Sequence, residues 1–183
     1  MEEICKLLSK GGVILYPTDT IWGIGCDAFN EEAIDKVYKI KQRPRDKPLS
    51  ILVDSLDMLR QFVPEIHPKL ETLLAYHERP ITVVYEKAKK LPKSMLAQDG
   101  SVAIRLVKDP FCAQLIQYCG CPLISSSANI HGEPFPANFG QISSDIIKEV
   151  DYVVKHRQNE KSAGEPSVMI RLSKKGELIF VRN

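Results

Sequence analysis

The chain has 183 residues, a formal net charge of +2 and 26% charged residues. That is long enough for one domain to bury a core and too nearly neutral for a protein that coats nucleic acid by charge alone. Five cysteines without a pair spaced two apart exclude a zinc ribbon or a CxxC redox motif and predict reduced thiols throughout. The opening MEEICKLLSKGG has acids first and too short an apolar run for a signal peptide, and no later run approaches a membrane span. A soluble cytoplasmic protein is therefore expected.

In chain order, residues 2–10 read as a short helix with Ile4, Leu7 and Leu8 inward, closed by Gly11-Gly12. A strand over Val13–Tyr16 follows, then the loop Pro17-Thr18-Asp19-Thr20. A helix capped by Asn30 carries the apolar stripe Ile34, Val37 and Tyr38. The next position on that face is Lys41, so a lysine emerges where the pattern calls for a hydrophobe. Pro44 stops the helix and leaves Arg43, Arg45 and Lys47 on an exposed connection before a strand at Leu49–Val53.

Ser55 or Asp57 caps a short helix through Phe62, Pro68–Tyr76 is a further helix, and Ile81–Tyr85 is a strand. Residues 87–99 read as a basic loop with one helical turn near Ser94–Ala97. In the strand Val102–Leu106, alternation sets Arg105 on the face opposite Ile104 and Leu106, facing either solvent or a ligand. Asp109-Pro110 starts a helix that Gly120 ends. Pro122–Ile124 reads as a short strand leading into the loop Ser125-Ser126-Ser127-Ala128-Asn129. A helix near 144–150, a brief strand at 152–154, a polar mobile flap over Lys155–Glu165 and a hairpin of 168–172 with 178–181 complete the chain. No repeat or linker divides it, so residues 1–183 are read as a single domain with the strand-then-helix order of an α/β fold.

Taken as residues alone, these features point to a nucleotide. Lys41, Arg43 and Lys47 can converge on a triphosphate, arginine as a bidentate fork and lysine as a point charge. Thr18 and Thr20 lie at the C-terminal end of a strand, the ligand edge of α/β sheets. Ser127 and Asn129 offer compact donors and acceptors, with no motif that would activate a serine as nucleophile. His67, His77, His131 and His156 are scattered without metal-ligand spacing and read as surface residues. No carboxylate cluster forms a metal cage, so Mg²⁺ would accompany the triphosphate of a bound nucleotide.

Tyr16-Pro17-Thr18-Asp19-Thr20-Ile21-Trp22-Gly23, Lys41-x-Arg43-Pro44, Pro48-Leu49, Val102-Ala103-Ile104-Arg105, Ser127-Ala128-Asn129 and Gly164-x-Pro166-Ser167 together resemble the YrdC/TsaC threonylcarbamoyl-AMP synthase family in its short, single-domain form. The resemblance covers about Gly11 to Arg182. It implies an α/β fold in which a twisted mixed sheet, with helices packed on it, holds an open basic concave cleft. The implied activity makes threonylcarbamoyl-AMP and pyrophosphate from L-threonine, bicarbonate and ATP, which tRNA-modification proteins then use on an adenosine of certain tRNAs. Lys41, Arg43, Ser127 and Asn129 would form the catalytic group. Thr20, Arg105, Ser127 and Ser167 would bind L-threonine, and Lys41, Arg43, Lys47, Ser101, Asn129 and Arg182 would bind ATP.

Four positions depart from the family pattern, Leu52, Arg79, Val168 and the Asn183 that follows Arg182 in place of a proline or glycine, and they touch the threonine end more than the phosphate end. Two other readings compete. An RNA-binding module of the same fold would read structured RNA weakly through a basic concavity, although near-neutral charge and the lack of interleaved aromatics weigh against it. A paralogous nucleotide-dependent enzyme would carry another acyl or carbamoyl group.

Overall fold

The computed structural model describes residues 1–161 and 164–182. Six helices among them are α1 (Glu2–Ser9), α2 (Glu31–Ile40), α3 (Leu56–Phe62), α4 (Pro68–Tyr76), α5 (Pro110–Cys119) and α6 (Ser144–Glu149). The strands are β1 (Ile14–Tyr16), β2 (Gly23–Gly25), β3 (Ser50–Val53), β4 (Ile81–Tyr85), β5 (Val102–Leu106), β6 (Leu123–Ser127), β7 (Tyr152–Val153), β8 (Val168–Leu172) and β9 (Leu178–Arg182). They form one mixed nine-stranded sheet in the order β7-β1-β2-β6-β3-β5-β4-β8-β9. The pairs β1/β7, β3/β5 and β4/β8 are parallel, so the α/β expectation holds.

Local chemistry sets the helix ends. The Asn30 side chain accepts from Ala33 N at 2.9 Å, Ser55 caps α3 through Met58 N, and Asp109 caps α5 through Cys112 N, with Gly120 left-handed behind it. The apolar stripes of α2, α3, α4 and α6 cover one face of the sheet, where Ile51, Val53, Val83, Ile104 and Ile170 form the larger core. On the other face, α1 and α5 pack a smaller core around Ile14, Tyr16, Leu52 and Cys112. They leave the rest of that face open.

Two strands differ from the sequence reading. The segment Gly23-Ile24-Gly25, which the sequence reading leaves unassigned, is a strand, because its glycines let neighbours approach: a Cβ at Gly25 would lie 2.2 Å from Ile124 O and 2.7 Å from the Tyr16 ring. Tyr16 uses that space to donate to Ile124 O at 2.9 Å. The triple serine is likewise not a loop. β6 continues through Ser127, pairing Gly23↔Ser127 and Ser50↔Ser125, so the serines sit near the middle of the sheet. Polar side chains with glycine and serine partners give no apolar alternation to read.

The expectation of reduced thiols throughout is also corrected. α1 and α5 pack side by side, bringing Cys5 and Cys119 to a Cα separation of 5.3 Å and joining them as a disulfide across 114 residues of sequence. Cys26, Cys112 and Cys121 are free; burial pushes the Cys121 thiol up to about 12. No helix among the described residues is long and apolar enough to cross a membrane.

Candidate active site

A cleft of about 480 Å³ opens on the uncovered face. Its floor follows from strand alternation: Ser50 and Leu52 of β3, Thr82 and Val84 of β4, Ala103 and Arg105 of β5, and Met169 of β8 all face it, while the residues between them enter the core. Arg43, Lys47, Ser101, Ser127, Asn129, Ser167, Arg182 and Thr20, all singled out in the sequence, share its wall with Arg105. Only Lys41 of the predicted set is absent from that wall.

Lys41 is 1% exposed at the C-cap of α2. Its ammonium runs beneath the 127–129 backbone and donates to Ser127 O, to Asn129 O at 2.7 Å and more weakly to Asn129 Oδ1 at 3.5 Å. Burial, and then the neighbouring Arg43, pull its pKa down to about 7. The apolar stripe of α2 thus delivers Lys41 to the underside of the site, where it ties two carbonyls together.

Arg43 is held from three sides: Nε donates to Lys47 O at 2.8 Å, Nη2 to Pro48 O at 3.0 Å, and Nη1 lies 3.1 Å from His131 Nδ1. Arg45 turns away, stacked 4.2 Å over the Tyr38 ring and paired with Asp35. His131 was expected only on the surface, yet it belongs to this cluster; no spacing in the sequence announces it. Asn129 spends its amide on Ile130 O and Glu133 O, which fixes the loop after β6.

At the opposite end Arg105, 5% exposed, is not solvent-facing. Its Nη1 donates to Thr20 Oγ1 at 2.7 Å and its Nη2 lies 3.3 Å from Asp19 Oδ1. Thr18 donates to Ile21 O at 2.8 Å, so the 2.8 Å contact between the two threonine hydroxyls makes Thr20 the donor and Thr18 the acceptor. Thr20 Oγ1 therefore keeps only acceptor capacity beyond Arg105. Arg105 Nε and Asp19 Oδ1 are buried without hydrogen-bond partners among the described residues, and the ion pair is close but out of line for a hydrogen bond. Nearby, Thr82 and Ser167 share a 2.7 Å hydroxyl contact, and Arg182 Nη2 donates to Ser167 O at 3.0 Å.

The predicted flap is anchored over its first half. Arg157 pairs with the buried Asp109, His156 stacks on Phe111 at 5.0 Å, and Gln158 donates to Val154 O. Polar composition concealed the first two ties, because their partners, Asp109 and Phe111, come from the start of α5. Residues 162 and 163 of that segment lie outside the described residues. Gly164 sits against the Arg105 end of the cleft, where a Cβ would fall 1.6 Å from Thr20 O. No group of three His, Cys, Asp or Glu among the described residues could hold a metal ion.

A profile of the Sua5/YciO/YrdC family, described as "Telomere recombination", matches residues 6–183. The chain belongs to that family. Among curated members it is 31% identical over 182 residues to Threonylcarbamoyl-AMP synthase of Xanthomonas euvesicatoria pv. vesicatoria, covering 98% of this chain and 96% of the relative. It is 33% identical over 150 residues to the protein of the same name from Pseudoalteromonas translucida, with 80% of each chain covered. Among solved structures, P. abyssi Sua5 complexed with L-threonine superposes with a TM-score of 0.85 at 24% identity over 98% of this chain. This chain spans about half of that protein, 52%. YciO of E. coli gives a TM-score of 0.82 at 22% identity, covering 99% of this chain and 87% of its own. At those identities the structural likenesses establish the Sua5/YciO/YrdC fold alone.

Proposed function

We propose that the protein is an L-threonylcarbamoyladenylate synthase, making threonylcarbamoyl-AMP and pyrophosphate from L-threonine, bicarbonate and ATP in the cytoplasm for tRNA modification. The observation that carries this reading is one continuous cleft with two chemically distinct ends. Arg43 and Lys47 supply cations at one end, and Arg105 with Thr20 supplies a fork and an acceptor at the other. The two curated relatives described above carry that activity as their name.

In the reaction, the free amine of L-threonine and bicarbonate combine to a carbamate with loss of water. A carbamate oxygen then forms a bond to the α-phosphorus as the bond from phosphorus to the pyrophosphate oxygen breaks. Arg105 is the group that would take the threonine carboxylate, with Ser167 beside it. Arg43 and Lys47 offset the charge that gathers on the departing pyrophosphate; Arg182, held on Ser167 within electrostatic reach of both Arg43 and Arg105, adds a cation for the nucleotide, which Ser101 also serves. Lys41 contributes by holding Ser127 and Asn129 in register with Arg43, so that little reorganisation is left for the reacting complex. Mg²⁺ would be held by the triphosphate rather than by a side-chain cage and would supply neutralisation of phosphate charge. The product passes to tRNA-modification proteins.

Pyrophosphate release measured with ATP and bicarbonate, one amino acid at a time, tests the proposal. Release that depends on L-threonine is expected. Release independent of the amino acid, or its absence with every amino acid, overturns the proposal.

A further inference from the structure

His131 lies on the loop after β6, is half-buried, and is fixed by its backbone N donating to Lys41 O at 2.8 Å. Its Nδ1 is 3.1 Å from Nη1 of Arg43. A guanidinium has only donors, so this contact is a hydrogen bond only if Nδ1 is an unprotonated acceptor. The ring proton must then sit on Nε2, and the ring must be neutral. With Lys47 O and Pro48 O taking Nε and Nη2, this histidine supplies the third tie. One hydrogen on each terminal nitrogen of Arg43 is left for a ligand.

We propose that His131 is a positioning residue for the phosphate site, a neutral acceptor that aims Arg43 and releases it when protonated. The inference rests on the reading that Arg43 serves the triphosphate. Protonation at Nδ1 would oppose one N–H to another and add a positive charge beside Arg43. The charged groups facing the ring are Arg43, Lys41 and Lys47, which oppose that proton, and Asp46, which favours it. Partial burial and the three cations together hold the ring's pKa below the ordinary histidine value. As pH falls through that value Arg43 loses one tie. ATP use should weaken, while the threonine end, built on Arg105, Thr20 and Asp19, is left alone.

Two measurements on the full chain test this. Nitrogen NMR of the labelled imidazoles should show His131 as the Nε2–H tautomer at neutral pH. Its titration should fall below the ordinary range and move back up in Arg43→Gln. An Nδ1–H tautomer, or a titration that Arg43→Gln leaves in place, overturns the proposal. In steady-state pyrophosphate release, His131→Phe should raise KM for ATP about tenfold, the size of one hydrogen bond to a charged group, with KM for L-threonine unmoved. His131→Asn, whose amide oxygen can stand where Nδ1 stands, should recover most of that loss.

The ratio of wild type to His131→Asn should fall as pH is lowered from 8 through the His131 titration that the NMR experiment locates, a ratio in which the titrations of bicarbonate and triphosphate cancel. A flat ratio, or equal defects in the Phe and Asn variants, overturns the proposal. If the wild type released no pyrophosphate with any amino acid, the synthase reading would fail on its own, and the NMR titration would still decide whether His131 and Arg43 are coupled.

Discussion

Replacing Lys41 by methionine separates a buried charge's cost from its use. The ammonium is 1% exposed and its pKa is pulled from 10.5 to about 7, a burden of roughly 5 kcal/mol on the charged form. Against this stand the carbonyls of Ser127 and Asn129, which would lose their donor at a cost of about 1–3 kcal/mol each. The two contributions nearly cancel, so the variant should change folding stability at pH 7 by no more than about 2 kcal/mol.

The sign of the pH dependence is fixed. Between the folded value near 7 and the unfolded value near 10.5 the unfolded chain holds a proton that the folded chain lacks, so wild-type stability rises with pH in that window. From pH 7 to 8.5 the gain from this group is about 1.5 kcal/mol, and it should vanish in Lys41→Met. Urea unfolding at the two pH values, wild type against variant, reads it directly. Activity should respond differently. With the strap under the 127–129 backbone gone, the cleft wall shifts and kcat/KM for ATP should fall about 100-fold. Near-native turnover together with an unchanged pH slope would refute both the buried placement and the positioning role.

Arg105→Lys should raise KM for L-threonine roughly tenfold with less effect on ATP, because a point charge cannot replace a planar fork held by Thr20 and Asp19; equal KM values would remove Arg105 from the amino-acid end. Gly164→Ala puts a methyl group where Thr20 O now lies, 1.6 Å from the added carbon. One of the two backbones must move, so KM for L-threonine should rise in steady-state assays while Arg43-dependent ATP use changes less. Cys5→Ser opens the cross-link between α1 and α5; for a loop of 114 residues the unfolded chain should gain entropy equivalent to about 2–5 kcal/mol, read as a lower urea midpoint that reductant reproduces in the wild type.

The parts of the fold written in local chemistry were legible in advance. Asp109-Pro110 and Gly120 bound α5, Ser55 opens α3, and the alternation of Ile81–Tyr85 and Val102–Leu106 marks β4 and β5 with Arg105 on the correct face. What escaped reading depends on partners distant in sequence. β2 is a strand because the Tyr16 ring and β6 need the room that glycine leaves. The Cys5–Cys119 link, the Arg157–Asp109 pair and the His131–Arg43 contact each join segments that only the packing of the sheet brings together. Lys41 is the instructive case. Its anomalous position on an apolar stripe is visible in the sequence, but its ties to the Ser127 and Asn129 carbonyls are not, because those partners lie 86 and 88 residues away.

The near-neutral total charge conceals an uneven distribution, and the unevenness fits an anion site. Arg45, Arg60, Arg79 and Arg157 each meet a carboxylate away from the cleft wall. Within it, Arg105 alone has an acid, Asp19, whereas Arg43, Lys47 and Arg182 have no carboxylate within ion-pair distance among the described residues. Their local partners are backbone carbonyls and hydroxyl oxygens, which orient a guanidinium without neutralising it. Burial, and then repulsion from Arg105, lowers the pKa of Arg182, so the empty cleft holds cations at some electrostatic cost. An anionic ligand relieves that cost at both ends together, the carboxylate beside Arg105 and the phosphates beside Arg43 and Lys47. A neutral or cationic ligand of the same size would leave it standing. Under the proposed function, the preference for two anionic substrates would lie in the cleft cations Arg43, Lys47 and Arg182, left without acids among the described residues, and not in the chain's net charge of +2.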